Sequence, residues 1–179
     1  SAKGEAVAQD GWVYASLGGS LTARLASGFE VGVDIPKNAL PEHVSINITS
    51  ADPNTQGPAG RVVVGGVIYD IKVVSLATQK EIHNFALPIT VRLTLSEAIL
   101  KLFNPSQLQI SYYDKTTGKW TQLPTRVEGN TIIATTTHLS PVALNSCAAT
   151  SSCDDYQLPN DKPLTQPFFK RLANWLKFW

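Results

Sequence analysis

Cysteine is nearly missing from this chain: there are two in 179 residues, Cys147 and Cys153. The stretch between them (AATSS) is too long for a C-x-x-C metal motif, and no histidine stands nearby, which excludes a zinc-ribbon or zinc-finger reading. The spacing is expected to form a local disulfide, which contributes roughly 2 kcal/mol to local order in the chain-entropy picture. Such a bond belongs to an oxidising compartment, so an extracellular, cell-surface or periplasmic location is expected; two free thiols would belong to a reducing one. Charge is also scarce, at 16% against about 25% in ordinary globular domains. The net charge of +1 leaves no basic excess to meet a phosphate backbone, so nucleic acid is not an expected partner. No run of about 20 apolar residues is present, which excludes a transmembrane helix. The chain also lacks G-x-S-x-G, a Walker loop, a dinucleotide fingerprint and H-E-x-x-H, so no cofactor or metal is expected.

What is present is length enough for one domain plus an appendage, and short apolar segments with a period of two. The opening SAKGEAVAQDG is small and polar, as a chain looks after removal of a leader or when trimmed from something longer, and residues 1–10 are expected to be flexible. Gly11–Ser16 and Leu21–Leu25 read as strands around a Gly18-Gly19 turn. Phe29, Val31, Val33 and Ile35 alternate with polar residues up to Pro36, and Val44, Ile46 and Ile48 alternate again. Asp52–Gly60 is a loop by its Pro, Gly and Asn content. In Arg61–Leu76 the residues Val67, Tyr69, Ile71 and Val73 share one face, and Gly65-Gly66 breaks the segment into two strands.

Ile89, Val91, Leu93 and Leu95 alternate in the next strand. Ser96–Phe103 is the one helical signal in the body, with Ser96 as cap and Asn104-Pro105 as stop. Leu108–Tyr113 and Lys119–Leu123 flank a tight turn at Asp114–Gly118, and Asn130–Thr137 and Val142–Leu144 close the set. Nine or ten short strands at this spacing predict an antiparallel β-sandwich or barrel rather than βαβ units. The domain is placed at 1–145, where eleven basic and eleven acidic residues cancel. Residues 146–162 follow as a polar linker pinned by the Cys147–Cys153 bond, and 163–179 as an appended helix.

Several stretches, in order, resemble the ZU5 family of β-sandwich domains: Gly18-Gly19-Ser20-Leu21, then Val33-Asp34-Ile35-Pro36-Lys37-Asn38-Ala39-Leu40-Pro41, then Phe85 to Val91. Tyr112-Tyr113-Asp114 through Gly118-Lys119-Trp120 and Thr136 to Leu144 complete the series. The resemblance covers roughly 11–144. It implies an all-β sandwich serving as a non-enzymatic scaffold or interaction module, and it leaves the tail outside.

His138-Leu139-Ser140 is the sharpest catalytic motif. In self-cleavage of this kind, Ser140 would attack the Leu139 carbonyl, His138 would take the proton, and water would hydrolyse the resulting ester. Pro141 argues against it by restricting Ser140 to extended backbone; the alternative is a strand entering the core. His43 and His83 stand alone in sequence and are expected at surface or edge positions. Asn47-Ile48-Thr49 matches a glycosylation sequon.

The tail carries the strongest functional signal. At 100° per residue, Leu164, Phe168, Phe169, Leu172, Trp175, Leu176 and Trp179 fall within an arc of roughly 140°. Lys170, Arg171 and Lys177, with Gln166 and Asn174, take the other side. Pro167 is tolerated in a first turn. A helix here would be about 25 Å long and marginal alone in water, so it needs a surface: its own sandwich, a groove on a protein partner or second copy, or a membrane interface.

Overall fold

The computed structural model describes residues 8–24, 29–52 and 54–147. Twelve strands occur there: β1 (Ala8–Val13), β2 (Gly19–Arg24), β3 (Glu30–Ile35), β4 (Val44–Ser50), β5 (Arg61–Val63), β6 (Tyr69–Ser75), β7 (Asn84–Thr94), β8 (Gln109–Asp114), β9 (Lys119–Gln122), β10 (Thr125–Glu128), β11 (Thr131–His138) and β12 (Val142–Cys147). They form two antiparallel sheets. The first runs β1-β4-β6-β12-β8-β9, with β5 also paired to β12; the second runs β10-β11-β7-β3-β2. The all-β, two-sheet architecture expected from the alternating segments is therefore present.

The alternation has its physical cause in burial. Successive side chains of a strand point to opposite faces, and one face of each sheet turns inward. Val31, Val33 and Ile35 of β3, Ile46 and Ile48 of β4, Ile71 and Val73 of β6, and Ile89, Val91 and Leu93 of β7 are all buried in one core. Burial of each such side chain is worth roughly 1.5–3 kcal/mol, which fixes the register, because a slip by one residue would turn each row outward.

The break in Arg61–Leu76 falls where the glycines stand. Val64–Gly66 form a 3₁₀ turn, and Gly65 and Gly66 take φ of 74° and 66°, a region that costs little without a Cβ. The helical signal is realised as one turn, α1 (Glu97–Leu100), with Ser96 Oγ accepting from the Ile99 N–H at 3.3 Å. Its shortness follows from Asn104-Pro105 close behind, where the chain passes into a second 3₁₀ turn.

Three boundaries differ from the sequence reading. Ala8–Asp10, expected to be flexible, pair with Asn47–Thr49 of β4, and Asn47 Nδ2 donates to Asp10 Oδ1. Strand β10 lies in a stretch read as connection. Its residues Thr125–Glu128 are half-buried or exposed, so no apolar periodicity marks it, while the Gly129-Asn130 turn joins it to β11. Finally, β12 runs to Cys147, two residues into the expected linker, because Ser146 and Cys147 pair with Val62 and Arg61 of β5. The segment 163–179, with the seven apolar and three basic residues that define its two faces, and Cys153 lie outside the described residues.

Candidate functional site

Strand β12 ends beside a large cleft. Cys147 is disulfide-bonded, and the chain's other cysteine is Cys153. Opposite Cys147 stands Arg61, at the mouth of a partly open groove of about 920 Å³. One wall is formed by Asp52, residues 54–59 and Arg61. The other is the β8–β9 hairpin, which contributes Tyr113, Gly118, Lys119, Trp120 and Gln122.

Local chemistry holds both walls. Asp52 Oδ1 accepts from the Asn54 N–H at 2.7 Å, and the Asp52 carbonyl accepts from the Thr55 N–H at 2.8 Å, an Asx-type turn. Gly57 passes so close to Val63 that an added Cβ would sit 2.4 Å from Val63 Cγ2. Across the groove the Trp120 indole N–H donates to the Gln56 carbonyl at 2.9 Å. The Trp120 ring is tilted 56° against Tyr113, with centroids 5.5 Å apart. At the hairpin tip Asp114 accepts from the N–H groups of Thr116 and Thr117 and from the Thr117 hydroxyl. The Thr116 N–H is the main reason the carboxyl is held below its usual range.

The groove is anchored from behind by a buried amide. Asn145 is fully buried. Its Oδ1 accepts from Arg61 Nε, and its Nδ2 donates to Ser111 Oγ at 2.9 Å. Arg61 Nη2 also donates to the Gln107 carbonyl at 3.2 Å, and burial pulls the guanidinium below its usual value. The Arg61 head is thus turned inward to backbone and amide oxygens.

Ser140 belongs to the same support. It is buried, and its hydroxyl donates to the Tyr113 carbonyl while the Pro141 carbonyl accepts from the Tyr113 N–H at 2.7 Å. The Ser140 proton is therefore engaged by Tyr113, and His138 Nδ1 lies 3.0 Å from Asn84 Oδ1. These two residues of the self-cleavage motif are close in sequence, yet Ser140 bonds to Tyr113 and the His138 ring to Asn84. The structure brings both His83 and Tyr112 to His138, with ring centroids 6.0 and 5.4 Å away. His83 exchanges contacts with Leu139, whose N–H donates to the His83 carbonyl at 3.0 Å, while His83 Nδ1 lies 3.3 Å from the Leu139 carbonyl. Burial first, and repulsion from His83 second, lower the His138 pKa below 6.5, against an opposing pull from Asp114.

His138 follows a register irregularity between Thr136 and His138 and pairs with Asn84, and no spacing in the sequence announced it. His43 is an edge residue as expected, stacked edge-on against Tyr14 at 5.1 Å. Among the described residues, no group of three His, Cys, Asp or Glu side chains could hold a metal.

A second surface feature lies at the other end of the first sheet. Trp12 and Leu17 are each 75% exposed, and Tyr14 is 50% exposed. Trp12 belongs to β1, the edge strand. Three large side chains in the six residues from the end of β1 into the turn toward β2 are more than the scattered single exposures usual on a surface.

The fold and these surfaces define the class: an all-β, two-sheet module with a preformed groove at one end and an exposed apolar edge. No protein-family model matches the chain, and no curated protein matches it.

Proposed function

We propose that this protein is a ZU5-like β-sandwich with a C-terminal amphipathic helix over 163–179, acting as a non-enzymatic interaction subunit of a cell-surface or extracellular assembly. The helix docks on a protein partner or a second copy, through Leu164, Phe168, Phe169, Leu172, Trp175, Leu176 and Trp179. Nucleic acid has no part in this reading. The observation that carries it is the exposure of Trp12 on the edge strand β1 and of Tyr14 and Leu17 in the turn that follows it: the sandwich presents exposed apolar surface of the kind that partners cover. The disulfide at Cys147 supports an oxidising compartment.

The alternative occupant of the tail's apolar face is a membrane interface, favoured by the basic residues Lys170, Arg171 and Lys177 on its other side. Both readings are tested with the full chain and its Leu172→Glu/Trp175→Glu variant, sized in solution and co-sedimented with anionic liposomes. Larger species in the full chain only, without pelleting, support protein docking. Pelleting of the full chain alone replaces it with a membrane anchor. Identical behaviour of the two chains defeats both.

A further inference from the structure

We propose that the groove between the Asp52–Arg61 loop and the β8–β9 hairpin is a saccharide-binding site that takes a neutral oligosaccharide segment. The case begins with the aromatic pair. Trp120 lines the groove, and its one polar atom is already used by the Gln56 carbonyl, so what it presents is carbon. Tyr113 stands tilted beside it and is held at both backbone polar groups, by Ser140 and Pro141. A pyranose ring has a flat face of C–H groups that packs on such a surface and a rim of hydroxyls that needs planar donors and acceptors. The rim partners are present: Asn54 and Gln122 carry amides, and Asp52 carries a carboxylate, all on the groove wall. An amide side chain both gives and accepts hydrogen bonds, as a vicinal diol requires.

Other ligand classes fit less well. An anionic ligand would want clustered cations, yet the groove's acid Asp52 offsets Lys119, and the Arg61 head is bonded to Asn145 and Gln107. A fully apolar ligand would leave the amides unpaired. A proline-rich peptide docks on aromatic-lined grooves, whereas here a single aromatic pair is flanked by polar groups. The volume of about 920 Å³ lies toward the top of the range for small-molecule sites, roughly 300–1,000 Å³, which gives room for more than one ring. The walls are tied across the groove before any ligand arrives, so little ordering is left to do on binding.

The test is affinity electrophoresis of the full chain through native gels containing hydroxyethylcellulose, xylan, galactomannan or laminarin. We expect retardation in at least one gel, about tenfold weaker binding in Trp120→Ala, and a severalfold loss in Asn54→Ala. Asn54 is exposed and outside the core, so that variant keeps the test informative if Trp120→Ala does not fold. Retardation in none of the gels, or retardation that both folded variants retain in full, overturns the proposal. So does Trp120-dependent binding of a proline-rich peptide without binding to any of the four polysaccharides. The outcome is independent of the tail, because Leu172→Glu/Trp175→Glu leaves the groove residues untouched.

Discussion

The indole N–H of Trp120 donates to the carbonyl oxygen of Gln56 at 2.9 Å, joining residues 64 apart in sequence. This bond ties the loop to the hairpin. Trp120→Phe keeps the ring and removes the donor. The expected loss is about 1 kcal/mol of stability, read by urea denaturation, with faster amide exchange at Asn54–Gly57. Unchanged exchange in that loop would show that the bond does not hold it.

Ser140 is the second joint. Its hydroxyl serves the Tyr113 carbonyl, and Ser140→Ala removes that bond from a buried position, at an expected cost of about 1–2 kcal/mol. Intact-mass measurement of the stored wild-type chain is expected to give one species. A pair of fragments meeting at Leu139–Ser140 would show that Ser140 acts as a nucleophile and not only as a joint.

Arg92 holds Asp34 on the outer side of the second sheet. Nε and Nη2 donate to Oδ2 and Oδ1 at 2.5 and 2.9 Å, and Ser20 Oγ adds a third bond at 2.6 Å. Gly32 makes room for the guanidinium: an added Cβ would lie 2.9 Å from Arg92 Nη2. The Arg92 bonds lower the Asp34 pKa from 3.8, burial opposes them, and Ser20 assists. A depressed carboxyl contributes stability that is present above the unfolded pKa and is lost as pH falls through the folded one. Arg92→Met is therefore expected to cost about 1 kcal/mol at neutral pH, the pair being partly exposed. The gap from wild type should narrow in thermal melts as the pH is taken below 3.8. A gap that does not change with pH would mean that Arg92 acts by packing alone.

His138 titrates in the opposite region. Its folded pKa lies below 6.5, so the neutral ring is favoured in the fold. The associated stability is present above pH 6.5 and is lost as pH falls from there through the folded value. His83→Gln removes the neighbouring charge and is expected to raise the His138 midpoint in an NMR titration, with burial keeping it under 6.5. A midpoint that does not move would place the whole shift on burial.

Much of the body was legible because burial writes a period of two. Val31–Ile35, Val44–Ile48 and Ile89–Leu93 could be read directly, and Gly65-Gly66 marked the break that separates β5 from β6. Strand β10 escaped because an edge strand with no buried side chain leaves no period to find. Ala8–Asp10 escaped because their pairing depends on β4, forty residues away. The groove was present in the sequence only as a loop, Asp52–Gly60, and a hairpin, Asp114–Gly118. Nothing local says that β12 lies between β5 and β8 and so brings them together. The same holds for His83 and His138, which met through the register of β7 and β11. Ser140 shows the reverse case: the motif was legible and its partner was not, because Tyr113 reaches it only through the β8–β12 pairing.

The proposed function has residues 163–179 available to a partner instead of covering their own sandwich. Hydrogen exchange of the full chain, followed by mass spectrometry at rising protein concentration, tests it most directly. The account predicts fast exchange across 163–179 in the dilute chain, with protection arising only on assembly or on addition of a partner. Protection of the same amides in the dilute monomer, unchanged with concentration, would contradict it and would make the helix part of the domain's own core.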